Sequence, residues 1–377
     1  MSGIYIHIPF CKQACFYCDF HFSTSLKKKE DMISSLIKEI EIRKNELGET
    51  IIETIYFGGG TPSVLNTEEI QELINAVYAN FKVAENPEIT LEANPDDLSE
   101  EKIIALSKSP INRLSIGIQS FFEKDLKLMN RAHNSDEAKK SLSLATQYFK
   151  NISVDLIYGV PDCTNKEWRE NIQKALSFGI PHISSYALTV EPKTALETLI
   201  AKGKIKNVDE EKAQAQFYIL IEELDKAGFI HYELSNFGKD NFFSKNNSSY
   251  WLGKSYLGIG PSAHSFDGKQ RSWNVRNNPK YIKSIQENKL PIERETLSVT
   301  DRYNEYVMTG LRTIWGVSIS IIENNFGTKY ASYLEKQSEK YIKEELLYLD
   351  NSVLKTTKKG KFLADGIASD LFMLNEA

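Results

Sequence analysis

Cysteine is scarce in this chain: four in 377 residues, three between positions 11 and 18 and the fourth far off at Cys163. So few thiols exclude a disulfide-stapled scaffold. Long apolar runs are missing too, since charges interrupt every one, which excludes a membrane-spanning helix. There is no excess of positive charge. The formal net charge of -5 gives no footprint for a phosphate backbone, and the local run "SLKKKED" reads as the solvated start of a helix, so no nucleic-acid partner is expected. The opening "MSGIYIHIPF" has no basic region before a long apolar one, so no signal peptide is expected. A cytoplasmic, reducing location is the expectation that follows, and there clustered cysteines read as metal or redox sites. Low-complexity tracts and repeats beyond βα units are also missing.

What remains is globular in composition, with 41% hydrophobic and 26% charged residues. The length predicts one large domain or two unequal ones. From Ile4 to about Ile230, short β-rich runs alternate with helical patterns: "IYIHI", "ETIYF", "EITLEA", "RLSIGI", "ISVDLIY", "HISSYALTV" and "IHYEL". Asn66 with Glu69, and Ser99 before two glutamates, read as helix N-caps. Such alternation predicts an α/β fold with a parallel sheet, a partial or full (β/α) barrel, with an open doubly wound sheet as the alternative. Five strand ends run into polar or glycine-rich segments, "FGGGTPS", "EANPDD", "GIQS", "DLIYGVP" and "ALTVEP", the edge where barrels bind ligands. Residues 1–235 are read as the barrel core. Residues 236–296, rich in Asn, Ser, Gly and aromatics, are read as an irregular linking segment, and 297–377 as a small, mainly helical, winged-helix-like domain.

Cys11, Cys15 and Cys18 follow the first strand in the spacing C-x3-C-x2-C. Structural zinc wants four ligands, usually as two separated pairs; one loop supplies three here, with His21 as a conceivable fourth. An iron–sulfur cubane normally takes four cysteines. Three leave one iron open to a ligand that is not protein. Gly58, Gly59 and Gly60 then read as positions where side chains are removed for close approach of a ligand.

"CKQACFYC" with "GGGTP" resembles the radical S-adenosylmethionine (SAM) enzymes. The resemblance implies a [4Fe-4S] cluster on Cys11, Cys15 and Cys18, whose open iron binds the amino and carboxylate groups of SAM. More narrowly, "YIHIPFCKQACFYCDF", "YFGGGTPS", "LEANPDD", "LSIGIQSF", "LMNRAH", "DLIYGVP" and "YLGIGPSAHSF" are similar, in order, to the oxygen-independent coproporphyrinogen III oxidase group. That similarity implies SAM contacts from Tyr5, Tyr17, Gly59, Gly60, Thr61, Glu92, Gln119, Arg131, Asp155 and Ala187.

Two branches share this core. The oxidase branch has a long segment before the cluster and a further cysteine two residues after the third, whereas here Asp19 and Phe20 follow Cys18. Both features resemble the HemW-type heme chaperones, which carry heme rather than decarboxylate porphyrinogen propionates. The resemblance implies as partners heme or a porphyrin, a reduced electron donor and heme-accepting proteins, and it allows a homodimer. The chaperone branch has a His-Asn-x-x-Tyr-Trp motif, and the stretch in register here begins with Asn246. An amide is a poor iron ligand beside imidazole. His264 in "GPSAHSF" becomes the candidate heme ligand, with His231 and Cys163 behind it.

Overall fold

The computed structural model describes residues 2–374. Six strands, β1 (Ser2–Ile8), β2 (Ile52–Gly59), β3 (Val83–Ala93), β4 (Arg113–Gln119), β5 (Ile152–Tyr158) and β6 (His182–Ala187), lie side by side in chain order, every neighbouring pair parallel. Parallel neighbours need long crossovers. These are helices α1 (Lys29–Ile42), α2 (Thr67–Asn80), α3 (Glu100–Ser107), α4 (Glu123–Leu128), α5 (Ser135–Tyr148) and α6 (Asn165–Leu176). Asn66 and Glu69 form a reciprocal capping box at 2.8 Å in both directions at the start of α2, and Ser99 accepts from the Lys102 amide at the start of α3.

Strand order 1-2-3-4-5-6 has no reversal, which rules out the doubly wound alternative. The barrel is partial. After β6 come α7 (Ala195–Ala201), α8 (Glu210–Lys226), β7 (Ile230–Glu233) and β8 (Asn236–Gly238), and β8 pairs antiparallel with β6 where a closed barrel would place β1. The chain continues through α9 (Lys245–Trp251), β9 (Tyr256–Ile259), β10 (His264–Phe266), β11 (Gln270–Asn274), α10 (Asn278–Gln286) and β12 (Ile292–Thr296). β9 joins the free side of β1 in parallel, and β10 to β12 extend that edge antiparallel.

The segment read as irregular therefore supplies five of the sheet's twelve strands. Its strands are three to five residues long, too short for a two-residue period to show. Tertiary contacts fix them instead. On α1, buried Glu39 accepts from Tyr281 Oη (2.6 Å), the Gly260 amide (2.8 Å) and Asn274 Nδ2 (2.8 Å), while buried Arg43 donates to Glu39 (3.0 Å) and the Gly258 carbonyl (2.7 Å). With every lone pair engaged, this buried pair specifies where the β9–β11 ribbon sits.

Side chains alternate across β1 to β6. Ile4, Ile6 and Ile8, Ile55 and Phe57, Leu114, Ile116 and Ile118 are buried in the main core, each contributing roughly 1.5–3 kcal/mol. Their neighbours on the opposite face are polar: Tyr5, Tyr56, Glu92, Ser115 and Asp155. A closed barrel fills this face with branched apolar layers, whereas an open one with a polar lining leaves room for a ligand.

The C-terminal part has its own buried cluster, including Tyr303, Val307, Leu311, Val317, Ile322 and Leu334. It comprises α11 (Val299–Leu311), β13 (Val317–Ser318), α12 (Ile319–Phe326), α13 (Thr328–Lys343), β14 (Leu347–Asp350), β15 (Val353–Thr356), α14 (Lys358–Lys361) and α15 (Ala364–Asp370), with the strands ordered β13-β15-β14. Helices followed by a hairpin give the winged-helix-like pattern. Among the described residues, no helix is long and apolar enough to cross a membrane.

Candidate functional site

The three cysteines occupy the loop after β1, at the C-terminal edge of the parallel strands. Backbone bonds hold this loop from several sides. Thr61 N donates to the Phe10 carbonyl (2.7 Å), Cys11 N to Ser23 (3.1 Å), Phe16 N to Met129 (3.1 Å) and Leu196 N to Phe16 (2.8 Å). Lys12 pairs with the Asp97 carboxylate. The glycines at the end of β2 also serve the packing of the loop. A Cβ on Gly60 would sit 2.6 Å from the Phe10 carbonyl, and one on Gly59, whose φ is +108°, would sit 2.6 Å from the His7 ring. Both lack side chains because the chain packs on itself there, and that packing presses the cysteine loop against the end of β2.

The loop borders a cavity of about 420 Å3, within the usual span of small-molecule sites. Cys11, Cys15, Cys18, Tyr17, Gly59, Gly60, Thr61, Glu92, Gln119, Arg131, Asp155 and Ala187 all line it. Tyr5 does not. Its ring faces a second cavity, with its hydroxyl 3.1 Å from His7 Nδ1.

Hydrogen bonds run through the first cavity from one cysteine to another. Thr61 Oγ1 donates to Cys11 Sγ (3.3 Å) and accepts from Asn94 Nδ2 (3.2 Å); Arg131 Nη2 donates to Asn94 Oδ1 (2.6 Å) and Arg131 Nη1 to Cys15 Sγ (3.2 Å). Burial disfavours the Arg131 charge, yet Tyr17 and Cys15 beside it hold its pKa above the ordinary range. Among the described residues its buried Nε has no hydrogen-bond partner. Burial also pushes the Cys11 thiol up to about 12 and Cys18 to about 11. Without added positive charge these sulfurs keep their protons, so iron must displace them.

Two carboxylates lie deeper. Burial raises Glu92 to about 7, against a hydrogen bond donated by Tyr56 Oη (2.8 Å) and with repulsion from Asp155. Burial raises Asp155 to about 6, and Ser115 Oγ donates to it at 3.2 Å. Gln119 ends β4 with φ at +64°, a left-handed conformation that costs a non-glycine residue roughly 1–2 kcal/mol and turns this residue onto the cavity wall.

This donor set fits a [4Fe-4S] cluster with SAM. Three thiols sit at one edge, and an unsatisfied guanidinium N–H and two desolvated carboxylates await a zwitterion and a diol. It fits zinc poorly. Among the described residues no three His, Cys, Asp or Glu side chains converge on a single ion. His21 faces the second cavity, its Nε2 2.7 Å from Asn278 Oδ1.

Asn94, Ser115 and Tyr56, not expected from the sequence, orient Arg131, Asp155 and Glu92. Asn94 follows β3 in "EANPDD", and its place at a strand end is the signal that points to it.

The heme candidates separate clearly. His231 is half-buried, stacked on Phe237 with centroids 4.0 Å apart, its Nε2 3.0 Å from the Leu234 carbonyl. Cys163 is buried in the core outside both cavities. Asn246 is buried as well, accepting from Thr54 Oγ1 (3.1 Å) while its amide donates to Glu88 (3.1 Å), and it lines neither cavity. His264 is exposed on the second cavity, tilted toward Trp273 at 6.0 Å, and burial and Arg271 keep its pKa below the usual imidazole range.

Comparison with known proteins agrees with this geometry. The radical SAM superfamily model matches residues 5–175, and the HemN C-terminal domain model matches residues 297–363. The heme chaperone HemW of Bacillus subtilis is 34% identical over 376 residues, covering 97% of this chain and 98% of that protein. The heme chaperone HemW of Lactococcus lactis is also 34% identical, over 377 residues, covering 100% and 98%. Among solved structures, the Escherichia coli coproporphyrinogen III oxidase HemN superposes with a TM-score of 0.85 at 22% identity, covering 99% of this chain and 90% of that one, a likeness of fold. With end-to-end relatives at this identity, and the superfamily model spanning the cysteine loop and the strands around it, the chain belongs to the HemW family of the radical SAM superfamily.

Proposed function

We propose that this chain holds a [4Fe-4S] cluster on Cys11, Cys15 and Cys18, binds SAM in the first cavity, and carries heme for delivery to heme proteins. One observation carries the reading: three loop thiols, a buried guanidinium and two buried carboxylates share one cavity, in a chain that matches heme chaperones end to end. When bound, the cluster and SAM supply one-electron chemistry at a sulfonium C–S bond.

The chain's residues prepare the site for them. Arg131 places positive charge between Cys15 and Tyr17 and is aimed by Asn94 and the Gly117 carbonyl (2.9 Å). Thr61 donates to Cys11, which favours its thiolate. Glu92 and Asp155 offer carboxylates whose desolvation is offset when a cationic amine or hydroxyl groups meet them, with Tyr56 and Ser115 fixing their orientation. Tyr17 and Ala187 complete the wall for the nucleoside.

Heme is read as cargo, with His264 as iron ligand. Supporting this, His264 has an accessible neutral imidazole on the second cavity, whereas His231, Cys163 and Asn246 are committed to packing. Phe20 stands where the oxidase branch has its further cysteine, which supports carriage over decarboxylation. The electron donor and heme acceptors are separate proteins on this reading, and the reducing cytoplasm is the compartment that keeps the three thiols available.

Anaerobic reconstitution with iron and sulfide tests the cofactor part. We expect a [4Fe-4S] stoichiometry and an electron paramagnetic resonance signal that SAM alters, both lost in Cys15→Ala. A full cluster retained in that variant would overturn the assignment.

A further inference from the structure

The first cavity and the second, also about 420 Å3, share one stretch of wall, Asp19–Phe20, directly after Cys18. Phe20 stands between them and is 68% exposed. The wall is pinned from the second-cavity side. Arg276 Nη2 donates to the Asp19 carbonyl, and His7 Nε2 donates to the His21 carbonyl at 2.9 Å. His7 in turn packs against Gly59 of the first cavity. Arg276 thus bonds the residue next to Cys18.

The second cavity has its own chemistry. Tyr5, Tyr250 and Tyr256 give it an aromatic lining, the last two meeting edge to face at 4.5 Å. Arg276 is exposed and, among the described residues, lies within ion-pair distance of no carboxylate, while nearby Arg271 is already paired with Glu305 at 2.8 Å. Among the described residues, Asp19 is the one carboxylate lining this cavity. An aromatic lining, an available guanidinium and the accessible imidazole of His264 suit a flat, metal-bearing aromatic ligand with a carboxylate at its edge.

We propose that the second cavity is the cargo site, that Arg276 pairs with a carboxylate of the tetrapyrrole, and that the Asp19–Phe20 wall links its occupancy to that of the SAM cavity. This rests on the heme reading above and adds to it an anchoring residue and a linkage. A guanidinium–carboxylate bond at a partly exposed site is worth about a factor of ten in affinity. Linkage is reciprocal, so each ligand shifts the other's affinity by one factor.

The test is titration of reconstituted full-length protein with hemin and, separately, with hemin dimethyl ester, followed by the Soret band, with and without saturating SAM. Arg276→Gln is expected to weaken hemin about tenfold and leave the ester unchanged. SAM is expected to shift hemin affinity several-fold, with hemin shifting SAM affinity equally. Equal hemin binding by wild type and Arg276→Gln, or equal losses for acid and ester, would overturn the anchor while leaving heme carriage standing. An unchanged hemin affinity with SAM would overturn the linkage. No hemin binding by wild type would remove the heme reading and this inference together.

Discussion

At the scale of single residues, Glu92 sets binding against stability. Its carboxyl rises from 4.5 to about 7 on burial, so the folded protein without ligand holds a proton that the unfolded chain releases. That contribution is fully present below about pH 4.5 and is lost as pH rises through about 7, a difference of at most about 3 kcal/mol. Glu92→Gln should therefore stabilise the cofactor-free protein at pH 8, by about 1–3 kcal/mol in denaturant unfolding, with no gain at pH 4. The same variant should bind SAM more weakly, and equal stability of both proteins at pH 8 would contradict the argument. Asn94 gives a second expectation. Losing the acceptor that aims Arg131 removes a charge-assisted bond, so Asn94→Ala should keep the cluster but weaken SAM about tenfold or more in equilibrium dialysis. Glu92 and Asp155 were legible through the resemblance of "LEANPDD" and "DLIYGVP" to a known family, each standing at or near a strand end. Ser115 and Tyr56 were not, because a serine or tyrosine in a strand is ordinary and only the register of β2 to β5 gives these two a purpose.

At the scale of elements, β1 to β6 showed in the sequence because each runs long enough for apolar and polar residues to alternate. The ribbon from β9 to β11 did not, since its order comes from Glu39 on α1 and Arg43 just after it, far away in sequence. The helix α9 shows a similar limit. Position 246 looked like a lost ligand when placed against a motif, yet its side chain is buried against Thr54 and α9 is seated by Glu88. Asn246→Ala should accordingly cost about 1–3 kcal/mol of stability by leaving the Thr54 hydroxyl unpartnered, and should leave the Soret maximum of bound heme where it is. A shifted Soret band with unchanged stability would return position 246 to the heme site.

At the scale of the molecule, an incomplete barrel solves two problems. Its open polar face provides the cofactor cavity, and its exposed strand edges are covered by the rest of the chain. The C-terminal unit docks on β7, where the Ile314 amide donates to the Tyr232 carbonyl (3.0 Å) and Lys361 Nζ to the His231 carbonyl (3.0 Å), which occupies an edge that would otherwise invite pairing with another chain. The two cavities, one beside the cysteine loop and one beside His264, meet at one short wall, which is what the proposed coupling of cargo and cluster requires. The most direct measurement offers reconstituted protein, with SAM and a reductant under anaerobic conditions, either heme or coproporphyrinogen III, while bound heme and porphyrin product are followed. Tight uptake of about one heme per chain and no porphyrin product is the expected result. Product accumulating over repeated turnovers would contradict it and make this chain an oxidase.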